Sequence, residues 1–315
     1  MDYFYPKGGL VIMPELPEVE TIRRQLSEVL LGKVIKNVIV LRDKSFDGDP
    51  NSLTGRKIKE VSRKSKVLEI FFHEEKEMVI VHLKMTGQLI FVINDERTQK
   101  LKNSKTQDKG NLLHERIVGG HPSPDWVNEL PSKHTRVVWN FTDGSRLYFN
   151  DMRVFGWMKM VNRNEYEKEI RKTAPDITDK DFTADFLFNL LKRSRKAVKL
   201  VLLDQDRVGG LGNIYVNEAL YLAGINPLRS ADSLSDDEVK QLHSAAIKVI
   251  NLGIRYGGAS AADEKFVNIS GLGGKYQDHF LVYQRAGEKC RRCGSLIEKM
   301  KVGGRGTFYC PKCQK

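Results

Sequence analysis

All four cysteines of this 315-residue chain fall within its last 26 residues, as Cys290-x2-Cys293-x16-Cys310-x2-Cys313. Two close pairs separated by one hairpin length can bring four thiolates into a tetrahedron, each pair supplied by a tight turn, which is the ligand pattern of a structural Zn2+ ribbon. The doubled spacing favours one zinc ion over four buried free thiols or a redox pair. It also excludes a disulfide framework, since no cysteine lies elsewhere to tie distant parts of a secreted fold together. The segment 283–315 is therefore read as a unit of its own. It carries nine Lys or Arg against two acids, and its positive surplus survives the charge of a zinc tetrathiolate, which suits contact with phosphate.

Upstream of the ribbon the apolar pattern changes period once. From Pro17 to Leu31 apolar residues recur at Val19, Ile22, Leu26, Val29 and Leu30, which predicts an amphipathic helix with Pro17 in its first turn and Gly32 as its stop. Short β-type runs follow, VIKNVIVL, KVLEIFF, EMVIVHL, GQLIFVI, TRVVWNF and RLYFND, with turns such as TDGS between them, so an antiparallel sandwich is the natural assembly. The stretch 94–131, rich in Lys, Asn, Gly and Pro, reads as a long surface insertion. After about Asn164 the pattern becomes helical: DFTADFLFNLLKR, AVKLVLLDQD, the turn VGGLGN, then IYVNEALYLAG. A last helix opens with a capping box from Ser235 to Glu238 and ends at Gly257. The expected chain is an α+β multi-domain protein with no internal repeat. Its units are a leader at 1–13, a β domain at 14–164 with the insertion 94–131, a helical domain at 165–282, and the ribbon at 283–315.

Hydrophobic residues at 40 % and charged residues at 29 % are ordinary for a globular chain that folds. Fifty-two Lys and Arg against 40 Asp and Glu leave a net charge of +12, which suggests a polyanionic partner, a solvated basic face being the alternative. No apolar run reaches the roughly 18 residues a membrane span requires. MDYFYPKGGLVI lacks the basic start and continuous apolar core of a secretion signal, so the cytoplasm is the expected compartment.

Three short stretches carry possible chemistry. VGGLGN presents backbone N–H groups at a helix N-terminus with Asn213 beside them, which fits either a phosphate cradle or a plain tight turn, and Arg195, Lys196 and Lys199 just upstream tilt the reading toward phosphate. Glu15 and Glu18 flank Leu16-Pro17 at a helix start, where the helix dipole alone would explain them. Pro14 decides between the two readings of these acids. An amide-bonded proline nitrogen cannot attack anything, whereas a terminal proline is a secondary amine with a pKa of about 8. Placed one residue from a carboxylate, such an amine is arranged for nucleophilic and acid–base work.

Taken in order, MPELPEVETIRR, HLKMTGQL, NDMRVFGWM, DQDRVGGLGNIYVNEAL and GRGTFYCPKCQK closely resemble the bacterial formamidopyrimidine-DNA glycosylases, from Met13 to Lys315 and most weakly over the insertion. The resemblance implies an N-terminal β-sandwich flanked by helices, a helix-two-turns-helix domain and a C-terminal zinc finger, with DNA in the cleft between the halves. It implies that the Pro14 amine attacks C1′ of the damaged nucleotide, that Glu15 handles protons at the sugar, and that Lys66 and Arg305 serve β- and δ-elimination. His134, Arg153, Arg195, Lys199 and Asn213 match DNA-contacting positions, and Met85, Arg153 and Phe155 match side chains that fill the gap left by an everted base. On pattern alone Met85 and Phe155 would pass for core, Lys66 for a surface charge and His134 for a satisfied histidine. The implied partner is double-stranded DNA containing oxidised purine lesions or abasic sites, met by a monomer associated with the cytoplasmic nucleoid. Two departures stand out: Val154 occupies a position where many relatives carry a second arginine, and GGASAADEKFVNISGLGGKYQ matches only loosely the loop expected to cover the flipped base.

The family chemistry has no place for residues 1–12, so translation from Met13 followed by methionine removal is expected. Codons for Lys7-Gly8-Gly9 that read as a purine-rich ribosome-binding sequence would support this. Proteolytic trimming to Pro14 is the second route. A retained extension would instead leave a non-catalytic binder of damaged DNA. A zinc-ribbon protein that binds RNA or another protein would explain the tail and the charge but not PELPEVE.

Overall fold

The computed structural model describes residues 14–74, 76–93, 116–119, 130–171, 174–259 and 274–315. The expected leader, much of the insertion and the centre of the expected lesion loop (260–273) lie outside these. Helix α1 spans Leu16–Leu30 and starts where the sequence dictates. Glu15 is its N-cap, the Glu15 N–H donates to Glu18 Oε2 at 2.9 Å, and Pro17 occupies the first turn, where a missing N–H costs nothing.

Behind α1 stand two five-stranded sheets. One has the order β1-β8-β9-β6-β7 (Ile35–Val40, Thr135–Phe141, Arg146–Asp151, Gly87–Val92, Arg116–Gly119). The other has the order β2-β10-β5-β4-β3 (Phe46–Asp47, Trp157–Asn162, Glu77–His82, Val67–Phe72, Ile58–Lys64). All pairings are antiparallel except the two-residue contact of β2 with β10. The inner faces meet in one core, where Phe72 stacks on Trp139 and the α1 residues Val19, Ile22, Leu26 and Leu30 close the side.

Several elements depart from the sequence reading. The six expected runs are strands, but IKEVSRK (β3) and WMKMVN (β10) are strands as well. Each buries only two residues, Ile58 and Val61 in one and Met158 and Val161 in the other, and so shows too little apolar alternation to be recognised. The stretch 94–131 is more than a surface insertion, because β7 lies inside it and pairs with β6 in register Leu89↔Gly119 to Val92↔Arg116. A polar helix, α2 (Arg163–Arg171, RNEYEKEIR), leads out of the sandwich.

The second lobe contains α3 (Ala184–Lys192), α4 (Val198–Leu203), α5 (Asn213–Ala223) and α6 (Asp236–Arg255). Ser235 and Glu238 form the expected capping box at the head of α6. Strands β11 (Glu298–Val302) and β12 (Arg305–Tyr309) make the ribbon hairpin. The ribbon is not a separate core: Cys290, Ile297, Phe308 and Cys310 pack in the same apolar cluster as Tyr215, Leu220 and Val249 of the helices. The buried Glu218 carboxylate ties the approach to it by accepting from the N–H groups of Leu281, Val282 and Tyr283 at 2.8–3.0 Å.

A buried ionic latch joins the lobes. Asp176 Oδ2 accepts from Arg63 Nη1 at 2.5 Å and from the Ser65 N–H at 2.7 Å, and Arg63 Nη1 also reaches Ser65 O at 2.8 Å. Both side chains are withdrawn from water, at 8 % and 2 % exposure, so losing Asp176 leaves a buried Arg63 with Glu20 Oε2, at 3.2 Å, as its remaining carboxylate partner. Asp176→Ala is expected to lower unfolding stability by about 3 kcal/mol, read from urea denaturation of the metal-loaded protein.

Candidate active site

Between the start of α1, the N-terminus of α5 and the ribbon hairpin lies a cavity of about 300 Å³, lined by Glu15, Lys66, Gly212, Asn213, Tyr283 and Arg305 among others. Pro14 is buried immediately before Glu15. The geometry follows from α1: its N-cap residue faces the other lobe, and Leu16 belongs to the helical lobe's core while the rest of the helix belongs to the sandwich.

Glu15 Oε1 accepts the Ile214 N–H at 3.1 Å in the first turn of α5, whereas Oε2 is buried with no hydrogen-bond partner among the described residues. Burial pushes this carboxyl up to about 7. The Lys66 ammonium pulls it down, and the Glu18 carboxylate adds to the rise. A carboxyl in that range exchanges a proton at neutral pH. Space for it depends on Gly212, where an added Cβ would lie 2.0 Å from the Glu15 carboxyl carbon. Glu18 is more than a helix-dipole partner: it also accepts from Tyr215 Oη at 2.9 Å and from the Ala259 N–H at 2.7 Å, and burial raises its pKa.

Lys66 sits in the two-residue turn between β3 and β4, after Ser65, whose φ of 51° is unusual for a residue other than glycine. Its Nζ donates to Leu211 O at 2.9 Å, and burial holds the ammonium below the usual lysine range against the attraction of Glu15. Arg305 stands exposed at the start of β12 on the cavity rim. Thus Glu15, Lys66 and Arg305, far apart in sequence, line one cavity, with Pro14 joined directly to Glu15.

Two expectations need correction. Lys199 does not reach a DNA-binding surface. It is fully buried, and its Nζ donates to Thr307 Oγ1 at 2.7 Å and Gly306 O at 2.9 Å, pinning α4 to the hairpin that carries Arg305. Burial pushes its pKa down to about 7. Nor is VGGLGN an open phosphate cradle, because the first-turn N–H groups of Ile214 and Tyr215 are directed at the Glu15 carboxylate. Asn213 lines the cavity, with one amide hydrogen given to Gly306 O at 3.0 Å.

A second group gathers on the sandwich. Met85 lies in the β5–β6 turn, and Arg153 and Phe155 in the β9–β10 loop. Arg153 Nη1 approaches Met85 Sδ at 3.6 Å, and Phe155 is 56 % exposed rather than core. His134 precedes β8, its carbonyl accepting the Asp151 N–H at 2.9 Å. Arg195 is apart from these, exposed in the α3–α4 connection with Asp232 at 3.8 Å. His82 went unremarked in the sequence. Burial holds it down to about 3, so the ring is neutral, and its Nδ1 accepts the Lys84 N–H at 3.0 Å beneath the Met85 turn. Nothing in an apolar strand pattern marks such a residue.

The sulfurs of Cys290, Cys293, Cys310 and Cys313 lie within 4.8 Å of one another, a cluster able to coordinate one metal ion. Its surroundings suit thiolate ligands, since the Arg292 N–H lies 3.4 Å from Cys290 Sγ and Tyr221 Oη lies 3.2 Å from it. Family models for the formamidopyrimidine-DNA glycosylase N-terminal domain, its H2TH domain, and the zinc finger found in FPG and IleRS match residues 13–158, 173–265 and 287–315. The chain belongs to the formamidopyrimidine-DNA glycosylase family. The family's enzyme from Bacillus licheniformis is 36 % identical, with 96 % of this chain matching all of that protein. The Lactococcus lactis Fpg, solved in complex with an abasic site containing DNA, is 30 % identical at a TM-score of 0.78, covering 96 % of this chain and 100 % of that one. The crystal structure of the MutM (FPG) protein from Thermus thermophilus is 32 % identical at 0.77, over 96 % and 98 %.

Gly212→Ala is expected to displace the Glu15 carboxyl while leaving the lobe folded, because the Gly212 φ of −126° suits alanine. A shift of about 1 Å at a reacting group costs on the order of a hundredfold in rate. Turnover, with far-UV circular dichroism and thermal melting as controls for the fold, is the check.

Proposed function

We propose that this protein excises oxidised purines, such as 8-oxoguanine and formamidopyrimidines, from double-stranded DNA and then cuts the abasic strand by successive β- and δ-elimination. The observation that carries this reading is the buried Glu15 Oε2 left unpaired at the cavity beside Pro14, with Lys66 and Arg305 on the same walls. The working form begins at Pro14, so that the proline nitrogen is a free secondary amine. The first family model's match begins one residue earlier, at Met13, which supports this start.

The amine forms a bond to C1′ as the glycosidic bond breaks, and the amine's proton passes to the departing base. Glu15, whose burial raises its pKa to about 7 so that a large fraction is protonated at neutral pH, gives its proton to the ring oxygen as the sugar opens to an iminium. The iminium acidifies C2′. Lys66, whose ammonium is destabilised by burial, takes that proton, and the 3′-phosphate leaves. The Arg305 guanidinium stabilises the 5′-phosphate that leaves in the second elimination. Zinc in the four-cysteine cluster is structural and fixes the hairpin that presents Arg305. His134, Arg153, Arg195 and Asn213 contact the DNA. Met85, Arg153 and Phe155 fill the space of the everted nucleotide, replacing its stacking. The protein acts as a cytoplasmic, nucleoid-associated monomer.

In the full chain as written, Met13 is joined to Pro14, and that form would bind damaged DNA without cutting it. Borohydride reduction on an 8-oxoguanine duplex should give a covalent adduct from the Pro14-start protein and none from the extended chain. Absence of an adduct from folded, zinc-loaded Pro14-start protein would overturn the catalytic assignment. On abasic DNA the trapping rate should be bell-shaped in pH, rising as the proline amine deprotonates, at about 8 in model amines, and falling as Glu15 loses its proton. Glu15→Gln should slow trapping and abolish the alkaline fall.

A further inference from the structure

The loop that carries Arg153 and Phe155 and the turn that carries Met85 belong to different strand pairs, yet one carboxylate holds both. Asp151, the last residue of β9, is completely buried. Its Oδ1 accepts from Thr86 Oγ1 in the β5–β6 turn and from the Arg153 N–H at 3.2 Å, and its Oδ2 accepts from the Gly156 N–H at 2.6 Å. Thr86 Oγ1 also accepts from the Arg153 N–H at 3.1 Å, so hydroxyl, carboxylate and loop backbone close one network.

The bonds to Arg153 and Gly156 bracket Val154, whose φ of 56° is a genuine outlier for a β-branched residue. Such a conformation persists only where its surroundings over-determine it, and here the two bracketing N–H bonds do so. Gly156 permits the close approach: an added Cβ would lie 2.9 Å from Phe149 Cζ and 3.1 Å from the carbonyl oxygens of His82 and Leu83, the residues that lead into the turn. The result is a loop that holds the Phe155 ring out in water and sends the Arg153 guanidinium toward Met85, against the tendency of apolar surface to fold back on the protein.

We propose that Asp151 is a positioning residue that assembles the gap-filling group before DNA arrives, fixing Met85 through Thr86, and Arg153 and Phe155 through the two N–H bonds around Val154. This rests on the excision reading above. Asp151 acts through these loops and touches no reacting atom. Its importance is therefore confined to substrates in which a base must leave a stack.

The test compares two substrates in single-turnover assays of the Pro14-start, zinc-loaded protein: a duplex with one 8-oxoguanine, and single-stranded DNA with one abasic site, where there is no stack to fill. Asp151→Ala is expected to slow excision from the duplex by at least about tenfold and to change cleavage of the single strand by less than about twofold. Asp151→Asn should lose less, since its oxygen can still accept from Gly156 and its amide can donate to Thr86 Oγ1. Adding Val154→Gly to Asp151→Ala should restore part of the duplex rate, because glycine adopts this φ without the clamp. If Asp151→Ala does not fold, Thr86→Val carries the same comparison, with a smaller loss expected in the same direction. Equal losses on both substrates, no loss on either, or no rescue by Val154→Gly would overturn the proposal. A wild-type protein that acts on neither substrate would instead overturn the excision reading.

Discussion

The first turn of α1 is packed in one lobe and the remaining turns in the other. Leu16 sits in the helical core, and Val19, Ile22, Leu26 and Leu30 sit in the sandwich core. This division leaves the N-cap residue no place except the seam. Glu15 and Glu18, acids that ordinarily end a helix in water, are therefore enclosed by protein. Burying a carboxylate is costly unless donors replace its water. Here the replacements come from the other lobe: the head of α5 for Glu15, and Tyr215 with the backbone of Ala259 for Glu18. The same contacts that make the helix start tolerable join the lobes into one site.

The seam is polar on its other side as well. Arg63, Asp176 and the Ser65 backbone form a compact ionic knot one residue before Lys66. Ser65 adopts a turn conformation usually left to glycine, and its N–H is satisfied by a carboxylate from across the interface. The orientation of Lys66 is thus set jointly by the two lobes, as is the environment of Glu15. On both walls of the cavity, the backbone of one lobe is held by charged groups of the other.

Much of this was legible in the sequence where one segment carries its own signal. The amphipathic run of α1, the capping box of α6, the six apolar strands and the paired cysteines are local patterns, and the structure forms each of them. What escaped were contacts made between segments. β3 and β10 are strands because neighbours pair with them, not because they alternate strongly. Lys199 reads as one more surface cation until Thr307 and Gly306 arrive from more than a hundred residues downstream to enclose it. Asp151 looks like a turn residue, and its network becomes visible only when the β5–β6 turn is laid beside the β9–β10 loop. The glycine-rich turn before α5 has the composition of an anion site and does meet an anion, but the anion is a side chain of the same molecule.

The sharing of one apolar cluster between the cysteine ribbon and the helices has a consequence for the life of the protein. With Cys290, Ile297, Phe308 and Cys310 forming one wall of the helical lobe, a metal ion coordinated by the four sulfurs would brace that wall, and its loss would expose α5 and α6 to solvent. The availability of such an ion would then govern how long each molecule survives degradation, and without it the whole polypeptide would be lost along with its tail.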